Sequence, residues 1–148
     1  MVDKSLIGKD FTEFTYEVEK VKIREFARAI GDKNLLYYDV KAAREAGFEG
    51  LAMPPTFPTV LTNASGLMQL MIDKLGLNLV KILHGGQQYE YLKPIKTGET
   101  LTGKVKIANV FEKEGKAGKM EFYVMETTYT NQSGEKVFVD TATIIHRS

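Results

Sequence analysis

Four side chains that could transfer protons or bind a ligand lie in two short stretches of the chain. Asp32, Asn34 and Tyr37 lie in a loop rich in polar and aromatic groups, and His84 precedes two glycines. A carboxylate is ionised at neutral pH and can accept a proton, whereas a phenol, with a pKa of about 10, cannot do so without strong perturbation. On spacing alone, Asp32 and Asn34 are explained more simply as turn residues, because they follow a glycine that ends a helix.

His84 has two interpretations that the sequence leaves open. It can be a structural histidine with satisfied hydrogen bonds, or it can act at a subunit contact or at the mouth of a site. The other histidine, His146, is two residues from the end, and the chain has no cysteine. We therefore expect no catalytic metal, and the glycines match neither common phosphate-binding loop.

Length and composition predict one domain that spans residues 1–148. The 20 lysines and arginines nearly balance the 19 aspartates and glutamates, for a net charge of +1. Such a balance gives no reason to expect nucleic acid or a membrane surface as a partner. The first eleven residues lack the apolar core of a secretory signal, so we expect a cytoplasmic protein.

The loop and His84 flank a stretch of 23 residues, Gly50–Ile72, that contains no charged side chain. Its prolines lie only at the front, so a helix should begin between Thr56 and Thr59 and continue without interruption to Leu75. Apolar residues surround this helix almost completely, so we expect no face that tolerates water. A membrane span is the rival interpretation, but the run includes three prolines and several polar residues. The pattern favours a helix that is buried inside a soluble domain.

The rest of the chain supplies what could cover that helix. A strand is expected at Phe11–Val18, and amphipathic helices are expected at Glu19–Ile30 and Val40–Ala46. After the central helix the pattern is that of β-strands, joined by short hairpins, with a bend expected at Gly85–Gly86 and a loop at Glu112–Lys119. The sequence therefore predicts an α+β fold in which a curled antiparallel sheet wraps around the long central helix.

This architecture is known as the hot-dog fold, and the sequence resembles a family that has it. The chain is similar to the MaoC-like dehydratases and hydratases, in the variant found as an N-terminal half or as a separate subunit. The shared motifs extend over nearly the whole chain in the family's order: GDKN and YYD (residues 31–39), AGFEGL (46–51), PPTF (54–57), LHG (83–85) and YEY with the following Pro and Gly-Glu (89–99).

The resemblance implies reversible addition of water to an enoyl thioester of coenzyme A or acyl carrier protein, with no further cofactor. In the family, an aspartate and a histidine in the pattern Asp-x-Asn-Pro-x-His hold the water and move its protons. Asp32 and Asn34 match this pattern, but Leu35 replaces the proline and Tyr37 replaces the histidine. Tyr37 and His84 are then the two candidates for the second proton carrier.

The resemblance also implies an oxyanion site at the start of the central helix. There, backbone N–H groups bind the thioester oxygen as it gains negative charge. Pro55 has no N–H, so Thr56 and Phe57 are the candidate substrate-binding donors.

Two classes of function remain open, with a hot-dog thioesterase as a weaker third. The chain can be a hydratase or dehydratase that uses Asp32 as its base. Alternatively, it can be a non-catalytic, acyl-binding subunit of a heteromeric dehydratase. In either class we expect a homo- or hetero-oligomer with another hot-dog subunit, because a single wrapped sheet leaves an edge strand to be covered.

Overall fold

A five-stranded antiparallel sheet, curled around the helices, organises the protein in the computed structural model, which describes residues 2–115 and 118–147. The strands lie in the order β1-β3-β4-β5-β2, so that β1 and β2 form the two edges. Their bounds are β1 Asp10–Glu17, β2 Ile82–Tyr91, β3 Thr100–Gly115, β4 Gly118–Thr130 and β5 Lys136–Arg147. The predicted α+β hot-dog architecture is confirmed.

Four α-helices precede β2 in the chain. They are α1 Lys20–Ala29, α2 Val40–Glu45, α3 Pro58–Ala64 and α4 Leu67–Leu75. The predicted starts and ends of α1, α2 and the central helical segment are each within about two residues of those observed. Short 3-10 turns lie at Leu35–Tyr37 and Leu79–Lys81. The second turn contains Val80, so the β-strand pattern expected after the central helix begins only at Ile82.

The central helix is divided, contrary to the prediction of one uninterrupted helix. Gly66 has a left-handed φ of 68°, which ends α3 and begins α4. The Ser65 hydroxyl accepts the Leu67 N–H at 3.1 Å, so a side chain replaces one backbone hydrogen bond of a continuous helix. The predicted lack of a water-facing side is also wrong, because Asn63 and Met68 are exposed.

Each half of the divided helix has its own apolar cluster under the sheet. Phe57 and Leu61 pack in one cluster with Tyr129 and Phe138, whose rings stack 4.1 Å apart. The second cluster surrounds α4 and is formed by buried residues of the helix, the loop after it and the strands β3, β4 and β5: Leu67, Met71, Leu77, Val105, Ile107, Val110, Tyr123, Met125 and Ile144. The two clusters explain why the segment needs no charged residue: the sheet covers one side of both helices.

The hairpin between β3 and β4 is longer than the sequence indicated. Backbone pairing continues to Gly115 opposite Gly118, so most of the predicted loop Glu112–Lys119 belongs to the two strands. The tip, residues 116–117, lies outside the described residues.

Burial of α4 under the sheet makes a direct prediction about stability. Met71→Ala should lower the free energy of unfolding by about 2–5 kcal/mol, because it leaves a cavity at a side chain that is only 1% exposed. The exposed Lys104, which pairs with Asp10 at the sheet edge, provides the control, and Lys104→Ala should cost under about 0.5 kcal/mol. Urea denaturation measures both changes. Equally small effects would mean that α4 does not pack under the sheet.

Candidate functional site

The loop between α1 and α2 is held by local hydrogen bonds of the two polar residues that match the family pattern. The Asp32 carboxylate accepts the Asn34 N–H at 2.9 Å, and the Asn34 side-chain oxygen accepts the Leu36 N–H at 3.1 Å. The second bond caps the 3-10 turn at Leu35–Tyr37. Both side chains therefore have the turn roles that their spacing favours, and one oxygen of Asp32 has this backbone partner.

Tyr37 occupies the position of the family's histidine, and its ring points into the core. It is 8% exposed and packs in the same apolar cluster as Leu51 and Phe57. Burial raises the pKa of Tyr37, and the nearby charge of Asp32 raises it further. The phenol is therefore protonated at neutral pH and can donate a hydrogen bond, but it cannot serve as a base.

Tyr38 links the two sides of the loop by hydrogen bonds. Its hydroxyl donates to the backbone carbonyl oxygen of Asp32 at 2.5 Å. On the other side, the Arg24 guanidinium of α1 donates to the Tyr38 carbonyl oxygen at 3.1 Å. These two bonds fasten the Asp32 loop to α1.

The two predicted oxyanion donors differ in their availability. The Phe57 N–H donates to the Pro54 carbonyl oxygen at 2.9 Å, so it already has a partner, and the Phe57 side chain is fully buried. Thr56 is exposed, and its N–H has no acceptor in the part of the chain that the structure describes. Of the two, Thr56 is the group that could bind a thioester oxygen.

His84 lies in a different part of the structure from the Asp32 loop. Its Nε2 atom is 2.9 Å from the side-chain oxygen of Gln87, and the Gln87 amide nitrogen donates to Asp140. Within residues 2–115 and 118–147, no contact joins His84 to Asp32. The structure thus brings Asp32 and Tyr37 together, but it does not add His84 to that pair.

Asp140 is a buried carboxylate that the sequence reasoning missed. It is 1% exposed on β5, and its second oxygen accepts the Thr62 hydroxyl of α3 at 2.8 Å. Burial raises the pKa of Asp140, although the hydrogen bonds from Thr62 and Gln87 oppose that shift. The Tyr129 hydroxyl is 3.4 Å from Thr62, and burial raises the pKa of this phenol as well. The available signal was an acidic residue inside the otherwise uncharged strand of residues 137–145.

A cavity of about 150 Å³ lies beside this network, where α3 meets α4. Its wall is mainly apolar, with Leu67, Met68, Met71, Met125, Ala142 and Ile144. Thr59, Thr62, Asn63, His84 and Gln87 provide the polar part of its lining. An apolar chain with a polar group at one end fits this distribution.

Neither metal binding nor a membrane span finds support in the described ranges, 2–115 and 118–147. No group of three or more histidine, aspartate or glutamate side chains there could hold a metal ion. None of the helices there is long and apolar enough to cross a membrane.

Comparison with known proteins identifies the family. Residues 5–140 match the model of the FAS1-like dehydratase domain region. A UPF0336 protein of Thermobifida fusca (strain YX) is 33% identical over 132 residues, which cover 89% of this chain and 84% of the relative.

Solved structures agree with this assignment. A chain of the C-terminally truncated HadBC complex (3R-hydroxyacyl-ACP dehydratase) of Mycobacterium tuberculosis is 25% identical, with a TM-score of 0.77 and coverage of 95% of this chain and 96% of that one. A MaoC-like dehydratase is also 25% identical, with a TM-score of 0.82, and the match covers 97% of this chain but 43% of the other. The chain therefore belongs to the family of FAS1-like dehydratase domains and has the hot-dog fold of the MaoC-like dehydratases.

Proposed function

We propose that this chain is one subunit of a heteromeric hot-dog dehydratase that interconverts 3-hydroxyacyl and enoyl thioesters of coenzyme A or acyl carrier protein. Its partner subunit supplies the catalytic aspartate and histidine. This chain supplies part of the acyl-binding surface and one side of the interface. In the hydration direction, the oxygen of water bonds to C3 and a proton is added at C2, so the reaction needs one group that accepts a proton and one that donates it.

The state of Tyr37 is the observation that carries this proposal. An imidazole can exchange a proton near neutral pH, but a buried phenol beside a carboxylate holds its proton more tightly than a free phenol does. In this loop the Asp32 carboxylate lacks the partner with which a hydratase shares acid and base work. The loop keeps the aspartate and the asparagine of the family pattern, while its ability to move protons is reduced.

The solved relatives support pairing with a second hot-dog unit. The HadBC dehydratase is a complex of two different chains. The match covers only 43% of the MaoC-like dehydratase chain. The rest of that chain is long enough to form a second domain of similar size. A separate chain that corresponds to one half of such an enzyme would regain the other half by association.

The β2 edge is the surface that we assign to this association. β2 lies at the edge of the sheet, so one side of its backbone has no neighbouring strand among the described residues. Apolar side chains are exposed on and beside it: Leu79, Val80, Leu83, Tyr91 and Leu92. Met68 of α4 is 40% exposed as well. A long edge strand with exposed apolar neighbours is a surface that natural proteins normally cover.

An intact hydratase is the second candidate function, and the position of Asp32 favours it. Its carboxylate lies near enough to Tyr37 for the charge to affect the phenol, as expected if both groups contact one substrate. Asp32 would then accept the proton of the attacking water.

The Asp32→Asn variant distinguishes the two candidates. In the complex assembled with a partner chain that has an intact Asp/His pair, kcat/KM for hydration of crotonyl-CoA should stay within about threefold of wild type. The reason is that the base lies on the partner, and losing a general base lowers a rate by roughly 10² to 10⁴. Tyr37→Phe should be equally silent.

The matched control is the corresponding aspartate-to-asparagine change in the partner chain, which should lose activity by roughly 10² to 10⁴. A loss of that size from Asp32→Asn instead would assign the base to this chain.

A charge placed on the β2 edge tests the interface. Leu83→Glu should weaken assembly at least about tenfold, because the seam would bury a carboxylate without a partner. Sedimentation equilibrium at micromolar concentration measures the association. Val21→Glu is the control, since Val21 is an exposed apolar residue of α1 away from this edge. Equal effects of the two variants, or none from Leu83→Glu, would contradict the assignment of the β2 edge.

A further inference from the structure

A β-bulge in β2 brings His84 and Gln87 to the same face of the sheet. His84 is opposite Ile144, whereas Gly86 is opposite Thr143 and Gln87 opposite Ala142, so one residue of β2 is left over. Residues three apart in a regular strand point to opposite faces, and the extra residue corrects that difference. Ile144 and Ala142, the β5 residues opposite His84 and Gln87, are both buried on the face that meets the helices.

Gly85 lets β2 lie close to β5 at the bulge. A Cβ atom at this position would lie 2.8 Å from the Ile145 Cδ1 atom and 3.2 Å from the Thr143 carbonyl oxygen. Any other residue would force the Ile145 side chain to move and would crowd the Thr143 carbonyl oxygen, so glycine is the residue that fits here without rearrangement. Bulges of this kind often direct side chains at functional sites.

The bulge completes a series of hydrogen bonds that runs from Asp140 in the core through Gln87 to His84 at the surface. Asp140 accepts a hydrogen bond from the Gln87 amide nitrogen, which fixes the orientation of the amide and turns its oxygen toward His84. An amide oxygen only accepts, so the Nε2 atom of His84 must carry a proton. In the neutral imidazole, Nδ1 then has no proton and is a hydrogen-bond acceptor.

Burial of the Asp140 carboxylate, at the inner end of this series of hydrogen bonds, costs free energy. Asp140 takes part in none of the ion pairs of the described residues, and it lies between α3 and the sheet, where an apolar side chain would pack without a desolvation penalty. Its hydrogen bonds to Thr62 and Gln87 offset part of that cost. A buried carboxylate that orients an exposed histidine through a glutamine is an arrangement for positioning, because stability alone would favour a leucine.

The cavity next to His84 indicates the class of ligand. A cavity of about 150 Å³ with an apolar wall can hold a molecule about the size of benzene, or a chain of about five carbons. His84 and Gln87 line the same cavity as the buried Met71 and Ile144. A ligand here would bring an apolar chain to the wall and a hydrogen-bond donor to Nδ1 of His84.

We propose that His84, oriented by Gln87 and Asp140, binds the 3-hydroxyl group of a 3-hydroxyacyl thioester whose chain beyond C3 occupies this cavity. The inference rests on the proposed function in one respect, namely that the ligand is an acyl thioester. Nδ1 accepts a hydrogen bond, and the hydroxyl of the hydrated acyl group donates one. The enoyl group has no donor at C3. The relay formed by His84, Gln87 and Asp140 therefore selects the hydrated form of the thioester over the dehydrated form.

A binding comparison on the full chain tests this site without any enzymatic activity. The probes are the N-acetylcysteamine thioesters of 3-hydroxyoctanoate and of octanoate, each of which has five carbons beyond C3. Titrations of the isotopically labelled chain at pH 8, followed by NMR, should give a dissociation constant about 3- to 10-fold lower for the hydroxylated probe, the range expected for one net hydrogen bond. His84→Phe should abolish the difference and leave the affinity for octanoyl thioester nearly unchanged.

Further variants distinguish a positioning role of Gln87 and Asp140 from a merely structural one. The ¹⁵N shifts of His84 should report a proton on Nε2 in the wild type, and Gln87→Met should remove this preference. His146→Phe is the matched control, since His146 contacts Glu121 near the end of β5 and should leave both affinities unchanged. Ala142→Leu should weaken the binding of both probes, because the larger side chain fills the cavity.

Three results would overturn the proposal. They are equal affinity for the two probes, a difference that survives His84→Phe, and no binding of either probe at millimolar concentration. None of them depends on turnover by an assembled complex, so failure of this site and failure of the proposed function can be told apart.

Discussion

The need to cover an uncharged helical segment governs this structure. The segment Gly50–Ile72 offers water no charged side chain, and Leu61, Leu67 and Met71 along it are buried. The left-handed turn at Gly66 divides it, so each half packs under a different part of the sheet. The two apolar clusters and the cavity at the junction of α3 and α4 coincide with that division.

Two sets of polar groups lie along this divided helix and differ in character. At the start of α3, the Asp32 loop is formed by local turn hydrogen bonds, and its phenol faces the core. At the junction with α4, Asp140 is buried among apolar groups and is linked by hydrogen bonds to α3 and to β2. The first set contains Asp32 and Asn34 but has a phenol, Tyr37, where the family pattern has an imidazole, while the second holds an imidazole in a defined orientation. This division fits a subunit that contributes binding more than proton transfer.

The sequence predicted the features that depend on local chemistry. Prolines located the start of the central helix, its predicted end at Leu75 agrees with the end of α4, and paired glycines indicated the bend in β2. The division at Gly66 could not be predicted with the same reliability, because one glycine within an apolar helical pattern is also tolerated in a continuous helix. The relay was beyond sequence reasoning for another reason. Gln87 and Asp140 are 53 positions apart, and only the register of β2 against β5 brings them together.

The proposed role as a partner subunit requires that this chain lacks a complete proton-transfer pair of its own. The most direct test is hydration of crotonyl-CoA by the purified chain alone, followed as loss of the enoyl absorbance at micromolar protein. We expect no rate above that of the uncatalysed reaction, because Tyr37 cannot replace the missing imidazole. Turnover by the isolated chain that disappears in Asp32→Asn would contradict the proposed role and would make this subunit a hydratase in its own right.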